Sequence, residues 1–162
     1  MGFDAFIKFD GIEGESTDGK HAGWIEIINF DLDVGQRVSR TASSAGGATG
    51  ERADFSEFSF SKLLDRATPE LTLACAAGAH FDKIVIEICR AGHNKVKFME
   101  YTLFNCIVSA ISTASAAGEF PVDEVAVNFG RILWCYTQQS RTGGAAVGNI
   151  ATGWSLEKNC RA

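Results

Sequence analysis

KIVIEICRAGHNKVKFMEYTLFNCIVSAIS, Lys83 to Ser112, is the stretch that decides the fold. Ile84, Ile86 and Ile88 alternate with Val85, Glu87 and Cys89, which is the two-residue period of a β-strand. Ala91-Gly92-His93-Asn94 turns the chain. It then returns from Lys95 to about Ser112, with Phe98, Leu103, Ile107, Val108 and Ile111 available for burial. Two strands joined by so short a turn run antiparallel.

The same pattern recurs outward from this hairpin. Phe3, Ala5, Ile7 and Phe9 share one face of an N-terminal strand, with Asp4 and Lys8 on the other, so the strand is expected to be half-buried. A polar corner spans Asp10 to Gly23. From Trp24 to Val34 the alternation slips: Ile25 and Ile27 share a face, then Ile28, Phe30, Leu32 and Val34 take the opposite parity, which predicts a bulge. Phe58 and Phe60 stand at strand spacing, and Val125, Val127 and Phe129 define another face. Beyond Gly130 the parity changes to Ile132, Trp134 and Tyr136, predicting a second bulge. A flexible segment from Gly143 to Gly148 precedes a short last strand around Trp154 and Leu156. One helix is expected to open at Thr68-Pro69-Glu70, with Thr68 capping, and to end at a left-handed Gly78; Leu71, Leu73, Ala74 and Ala77 supply its apolar contacts. The expected architecture is an antiparallel bulged β-barrel, closed or nearly closed, with one α-helix packed against it. It forms a single domain over residues 1–162.

Composition agrees with this. Hydrophobic residues make up 46% of the chain, and twelve Phe and three Trp against two Met favour pleated surfaces. A net charge of −5, without a basic stripe, argues against nucleic acid as a partner. The N-terminus lacks the basic and apolar regions of a signal peptide, and no apolar run reaches the length of a membrane span, so cytoplasmic origin without membrane insertion is expected. The five cysteines, Cys75, Cys89, Cys106, Cys135 and Cys160, contain no CxxC pair and read as reduced packing residues.

Nothing in the sequence argues for catalysis. His21 and His93 sit in polar corners, and His80 follows the helix end. No metal-binding histidine pair, nucleophile elbow or phosphate loop is present; GATGER, Gly47 to Arg52, lacks the Gly-Lys-Ser/Thr ending. The acidic pairs Glu13/Glu15, Asp31/Asp33 and Asp123/Glu124 read as solvated faces. No catalytic, cofactor-binding or metal residue is assigned.

The order of segments resembles the hemolysin-coregulated protein (Hcp) family, tube subunits of bacterial type VI secretion systems. FIKFDGIEGES (Phe6–Ser16), FSFSKLLDRATPELTLACAAG (Phe58–Gly78), CRAG (Cys89–Gly92), YTLFNCIVSAIST (Tyr101–Thr113), VAVNF (Val125–Phe129) and the closing Gly153-Trp154 carry the resemblance over nearly the whole chain. It implies a β-barrel with one helix, assembled into homohexameric rings that stack as a tube and are exported without a signal peptide. It further implies spike, sheath and baseplate proteins as partners, and small effector proteins carried in the lumen. The extended loop expected to contact neighbouring subunits or rings is Arg40 to Arg52, with Arg40, Ser43, Ser44, Gly46, Gly47, Thr49, Glu51 and Arg52 as its site residues. Its Gly, Ala and Ser side chains exclude little volume, and such a loop is loose until a neighbour orders it. Ser112 and Ser115, in a run of small residues, are candidate lumen positions. A monomeric β-barrel module binding carbohydrate or peptide is the alternative class, and a phage-type tail-tube protein shares the tube logic.

Overall fold

In the computed structural model the antiparallel strands laid out by the alternating residues are present, and residues 2–38, 50–92, 95–142 and 146–162 are described. The elements are β1 (Phe3–Phe9), β2 (Ile25–Ile27), β3 (Asn29–Asp31), β4 (Val34–Val38), β5 (Gly50–Phe55), β6 (Phe58–Leu63), α1 (Ala67–Ala77) and β7 (His80–Arg90). They continue with β8 (Lys97–Ala114), β9 (Val122–Asn128), β10 (Arg131–Gln139), β11 (Ala146–Ser155) and β12 (Cys160–Arg161).

Among the described residues ten strands form one sheet, in which β7 lies between β1 and β8 with every pair antiparallel. The sheet branches along β8: β10 pairs with its first half and β9 with its second half, β6 then pairs with β9, and β3 with β6. The mainly β class with one helix is as expected; of the two forms foreseen, closed or nearly closed, the fully closed one is absent, because among the described residues the hydrogen-bonded ladder does not close on itself. Its two ends on this path, β2 on β1 and β3 on β6, are consecutive pieces of chain separated by Ile28, whose N–H donates to the Ser61 carbonyl at 2.8 Å. The parity slip foreseen there is this transfer from one sheet edge to the other. It leaves Ile28 and Val34 exposed, while Phe30 and Leu32 pack against the core.

The second slip also has a different cause from the one expected. Buried positions step by three residues on both paired strands, from Leu103 to Cys106 on β8 and from Phe129 to Ile132 across the β9–β10 junction. Arg131 pairs with Phe104 and Asn128 with Ile107, so the register is the same on either side of Gly130. Asn105 (φ 54°) reverses one strand where Gly130 breaks the other, and the two strands change faces together. The extra residue of a true bulge lies in β8, between Val108 and Ala110.

The core is built from Ile7, Phe9, Ile25, Phe58, Phe60, Ile84, Ile86, Leu103, Val127 and Ile132, all nearly inaccessible to solvent. Helix α1 buries Ala67, Leu71 and Ala74 against it, whereas Leu73 and Ala77, expected as contacts, are exposed. Gly78 ends the helix at φ 63°, as its lack of a Cβ permits, and Ala79 N–H closes on the Ala74 carbonyl at 2.9 Å. Phe3, Ile107 and Tyr136 are also more exposed than the alternation predicts. Val147 and Gly148, placed in a flexible segment, belong to β11; Gly143, and with it His93 and Asn94 of the earlier turn, lie outside the described residues.

Candidate assembly interface

Three features stand apart from the apolar core: a two-stranded ribbon, and two polar clusters that the sequence did not disclose. The ribbon is the antiparallel pair β4–β5, a two-stranded sheet separate from the main one. Phe55 roots it, stacking on Trp134 at 6.1 Å between centroids and meeting Phe129 edge-on at 6.2 Å. Arg52 Nη2 donates to the Leu156 carbonyl at 3.0 Å, so this loop residue braces the ribbon against the strand-end turn. Val34 and Val38, exposed at 61% and 55%, face solvent. Of the other loop residues, Arg40, Ser43, Ser44, Gly46, Gly47 and Thr49 lie outside the described residues, and Glu51 contributes backbone to β5. Ser112 is an exposed residue near the end of β8, opposite Glu124, and Ser115 is exposed just beyond the strand.

The first polar cluster lies under the helix start. Lys62 and Asp123 are both wholly buried, paired at 2.7 Å across the β6–β9 ladder. Lys62 Nζ also donates to Asp65 Oδ1 at 2.7 Å and Thr68 Oγ1 at 2.8 Å. Asp123 accepts from Thr68 at 2.6 Å and Thr113 at 2.5 Å. Burial pushes the Asp123 carboxyl up, but hydrogen bonds from Lys62, Thr113 and Thr68 outweigh it and hold the group below its ordinary value. Asp123 is therefore not the solvated residue expected. Nor is Thr68 the helix cap: its hydroxyl is committed to this cluster and to the Asp65 N–H, while Asp65 Oδ1 receives the Ala67 N–H at 2.9 Å. With both ions satisfied, the cluster has the character of a lock between strands and helix, not of an acid–base pair.

The second cluster overturns the reading of His21 as a residue of an open corner. The segment 10–24 folds over the outer face of β1 and β7, and His21 is 2% exposed beneath it. Its ring stacks on Phe6 at 4.2 Å and meets Trp24 edge-on at 4.9 Å, which also explains why Phe6, on the supposedly polar face of β1, is buried. Gly14 permits the fold-over, since a Cβ there would stand 2.3 Å from the Trp24 carbonyl oxygen. His21 Nδ1 meets Asp18 Oδ2 at 2.7 Å and Nε2 meets Glu87 Oε2 at 2.5 Å. Hydrogen bonds from Lys95 and then His21 hold the Asp18 carboxyl well below the usual carboxylate range, and Lys95 in turn is raised by Asp18 and Asp4. Burial, with Glu87 and Asp18 nearby, pushes the Cys89 thiol up to about 11. Partners 66 residues apart leave no local spacing from which His21–Glu87 could be read.

Comparison with known proteins fits this geometry. The family model described as "Type VI secretion system effector, Hcp" matches residues 6–136. The chain is 32% identical to protein Hcp1 of Pseudomonas aeruginosa, over the whole of both chains. Among solved structures, one of a type six secretion system protein is 31% identical with a TM-score of 0.94, covering 99% of this chain and 100% of that one. The crystal structure of Hcp1 from Salmonella typhimurium is 26% identical, with a TM-score of 0.81 and full coverage of both. The chain belongs to the Hcp family, structural tube proteins of type VI secretion and not enzymes.

Proposed function

We propose that six copies of this chain form a ring, that rings stack along their axis into the inner tube, and that the β4–β5 ribbon with the loop between its strands is the joint to the neighbouring copy. The observation that carries this reading is the ribbon itself. A two-stranded hairpin is marginal in water, and this one shares no ladder with the main sheet and leaves Val34 and Val38 exposed. A neighbouring subunit is the surface that would cover them. Rotation that closes gives a ring, and stacking along the axis extends it.

In this reading the tube is assembled in the cytoplasm and leaves by a route that needs no signal peptide. Spike, sheath and baseplate proteins act on it, and small effectors ride in the lumen, with Ser112 and Ser115 on its wall. At −5 per chain, a ring of six carries six times that, −30. Like-charged rings repel over a Debye length of about 10 Å at 0.1 M salt and over more in dilute salt, so stacking needs complementary faces or a nucleating partner.

Solution mass of the purified chain, with negative-stain images of the same sample, tests the reading. A sixfold mass with annular particles is expected, and a monomer at high concentration overturns it in favour of a monomeric binding module. Sedimentation against salt tests the charge argument, which fails if long tubes form readily in dilute buffer.

A further inference from the structure

His21, in the corner after β1, and Glu87 and Cys89, on β7, lie on other elements than the β4–β5 ribbon. Their ligand atoms all lie within 4.8 Å of one another, with His21 and Cys89 buried where the segment 10–24 covers β1 and β7. We propose that they form a binding site for one divalent transition metal of zinc-like character, a staple holding that segment to the outer face of β1 and β7.

Imidazole, carboxylate and thiolate are the donor set of a borderline-soft cation, and three protein ligands leave a fourth, solvent-filled position. His21 Nε2 lies 4.0 Å from Cys89 Sγ and 2.5 Å from Glu87 Oε2. Tetrahedral zinc, with bonds of about 2.0–2.3 Å, places such atoms roughly 3.3–3.6 Å apart. Seating the metal therefore moves the carboxylate back by about 0.8 Å and the thiol in by about 0.5 Å, within the reach of side-chain rotation at these bond lengths.

The surroundings fit as well. Asp18 already holds the other ring nitrogen at 2.7 Å, which is how carboxylates orient metal-bound histidines. Phe6 and Trp24 wall the ring from solvent. Charge favours a cation, because Asp4, Asp18, Glu87 and Glu100 are faced by the two ammonium groups of Lys95 and Lys97. An ionised carboxylate only accepts hydrogen bonds, so the 2.5 Å contact between Nε2 and Glu87 contains a proton. Metal binding releases that proton and the thiol proton of Cys89 to solvent, and the cation takes the place of both.

This site does not rest on the ring reading. The test is a titration of the assembled protein, stripped with chelator, with cobalt(II) alone, read by the charge-transfer absorption of a cobalt–thiolate bond. The band is expected to appear, to vanish in Cys89→Ser and His21→Asn, and to persist in Cys160→Ser. Asp18→Asn should retain the band and weaken affinity roughly 10- to 100-fold. Absence of a thiolate band in the parent protein, or an unchanged band in Cys89→Ser, overturns the proposal. Should Cys89→Ser not fold by circular dichroism, Glu87→Gln takes its place, and unchanged cobalt affinity in that variant overturns the proposal equally.

Discussion

Lys62→Met isolates the lock beneath the helix. Methionine keeps the length of the lysine stem and removes the ammonium, leaving Asp123 wholly buried with Thr68 and Thr113 as its remaining donors. Removing one partner of a buried pair costs about 3–5 kcal/mol, because the other charge is left uncompensated. The upper half of that range is expected here. Lys62 also serves Asp65 and Thr68, so the loss reaches the start of α1 as well as the β6–β9 ladder. The assay is urea unfolding at fixed protein concentration, since assembly couples stability to concentration.

The pH dependence gives an independent sign. In the parent protein the Asp123 carboxyl is held below its ordinary value, so its contribution is present above the unfolded carboxylate pKa of about 3.9 and lost as pH falls through the folded one. In Lys62→Met the largest group opposing burial is gone, and burial, set against the Thr113 and Thr68 donors alone, raises the folded pKa. The deficit is then greatest near about pH 8 and shrinks toward about pH 5 as Asp123 protonates. In Lys62→Met with Asp123→Leu, most of the loss should return. A single-variant loss below about 1 kcal/mol, or a deficit that grows on acidification, refutes the reasoning.

Three further outcomes follow from other regions. Gly14→Ala forces residue 14 away from the Trp24 carbonyl, opening the segment 10–24, and should cost about 1–3 kcal/mol, read by unfolding and by a change in Trp24 fluorescence. A thiol reagent at neutral pH should label exposed Cys160 first and spare Cys106 and Cys89, which burial raises to about 12 and about 11; fast labelling of Cys106 would show that the core opens easily. Val34→Asp with Val38→Asp should lower the assembled mass seen by sedimentation while leaving circular dichroism unchanged, and an unaltered mass would remove the ribbon from the interface.

What the sequence disclosed follows from one-sided burial. Ile84, Ile86 and Ile88 alternate cleanly because one face of β7 looks into the core along this stretch, and Gly78 marks its helix end because only a residue without a Cβ takes that φ freely. The readings failed where a third layer or a distant partner intervened. Alternation puts Phe6 on the outer face of β1 with Asp4 and Lys8, and composition puts His21 in a polar corner, and neither can foresee a loop folding across that face. Asp123 looked solvated beside Glu124 because its partner, Lys62, arrives only through a ladder 61 residues long in sequence. Thr68 had the right chemistry for a cap and was taken by that same partner. The proposed assembly residues would be set by a second copy of the chain, on which neither alternation nor capping rules bear.

The shared reversal at Asn105 and Gly130 has a consequence for how such a chain can diverge. Each strand flips its core-facing set there, and the register survives because the flips are matched. An insertion or deletion of one residue on either strand alone would send the remaining half of that strand inside out against its partner. Single-residue length changes should therefore be excluded from this junction in related chains unless both strands change together. Drift in length is free to collect at corners such as 115–121, where no ladder has to be kept in step.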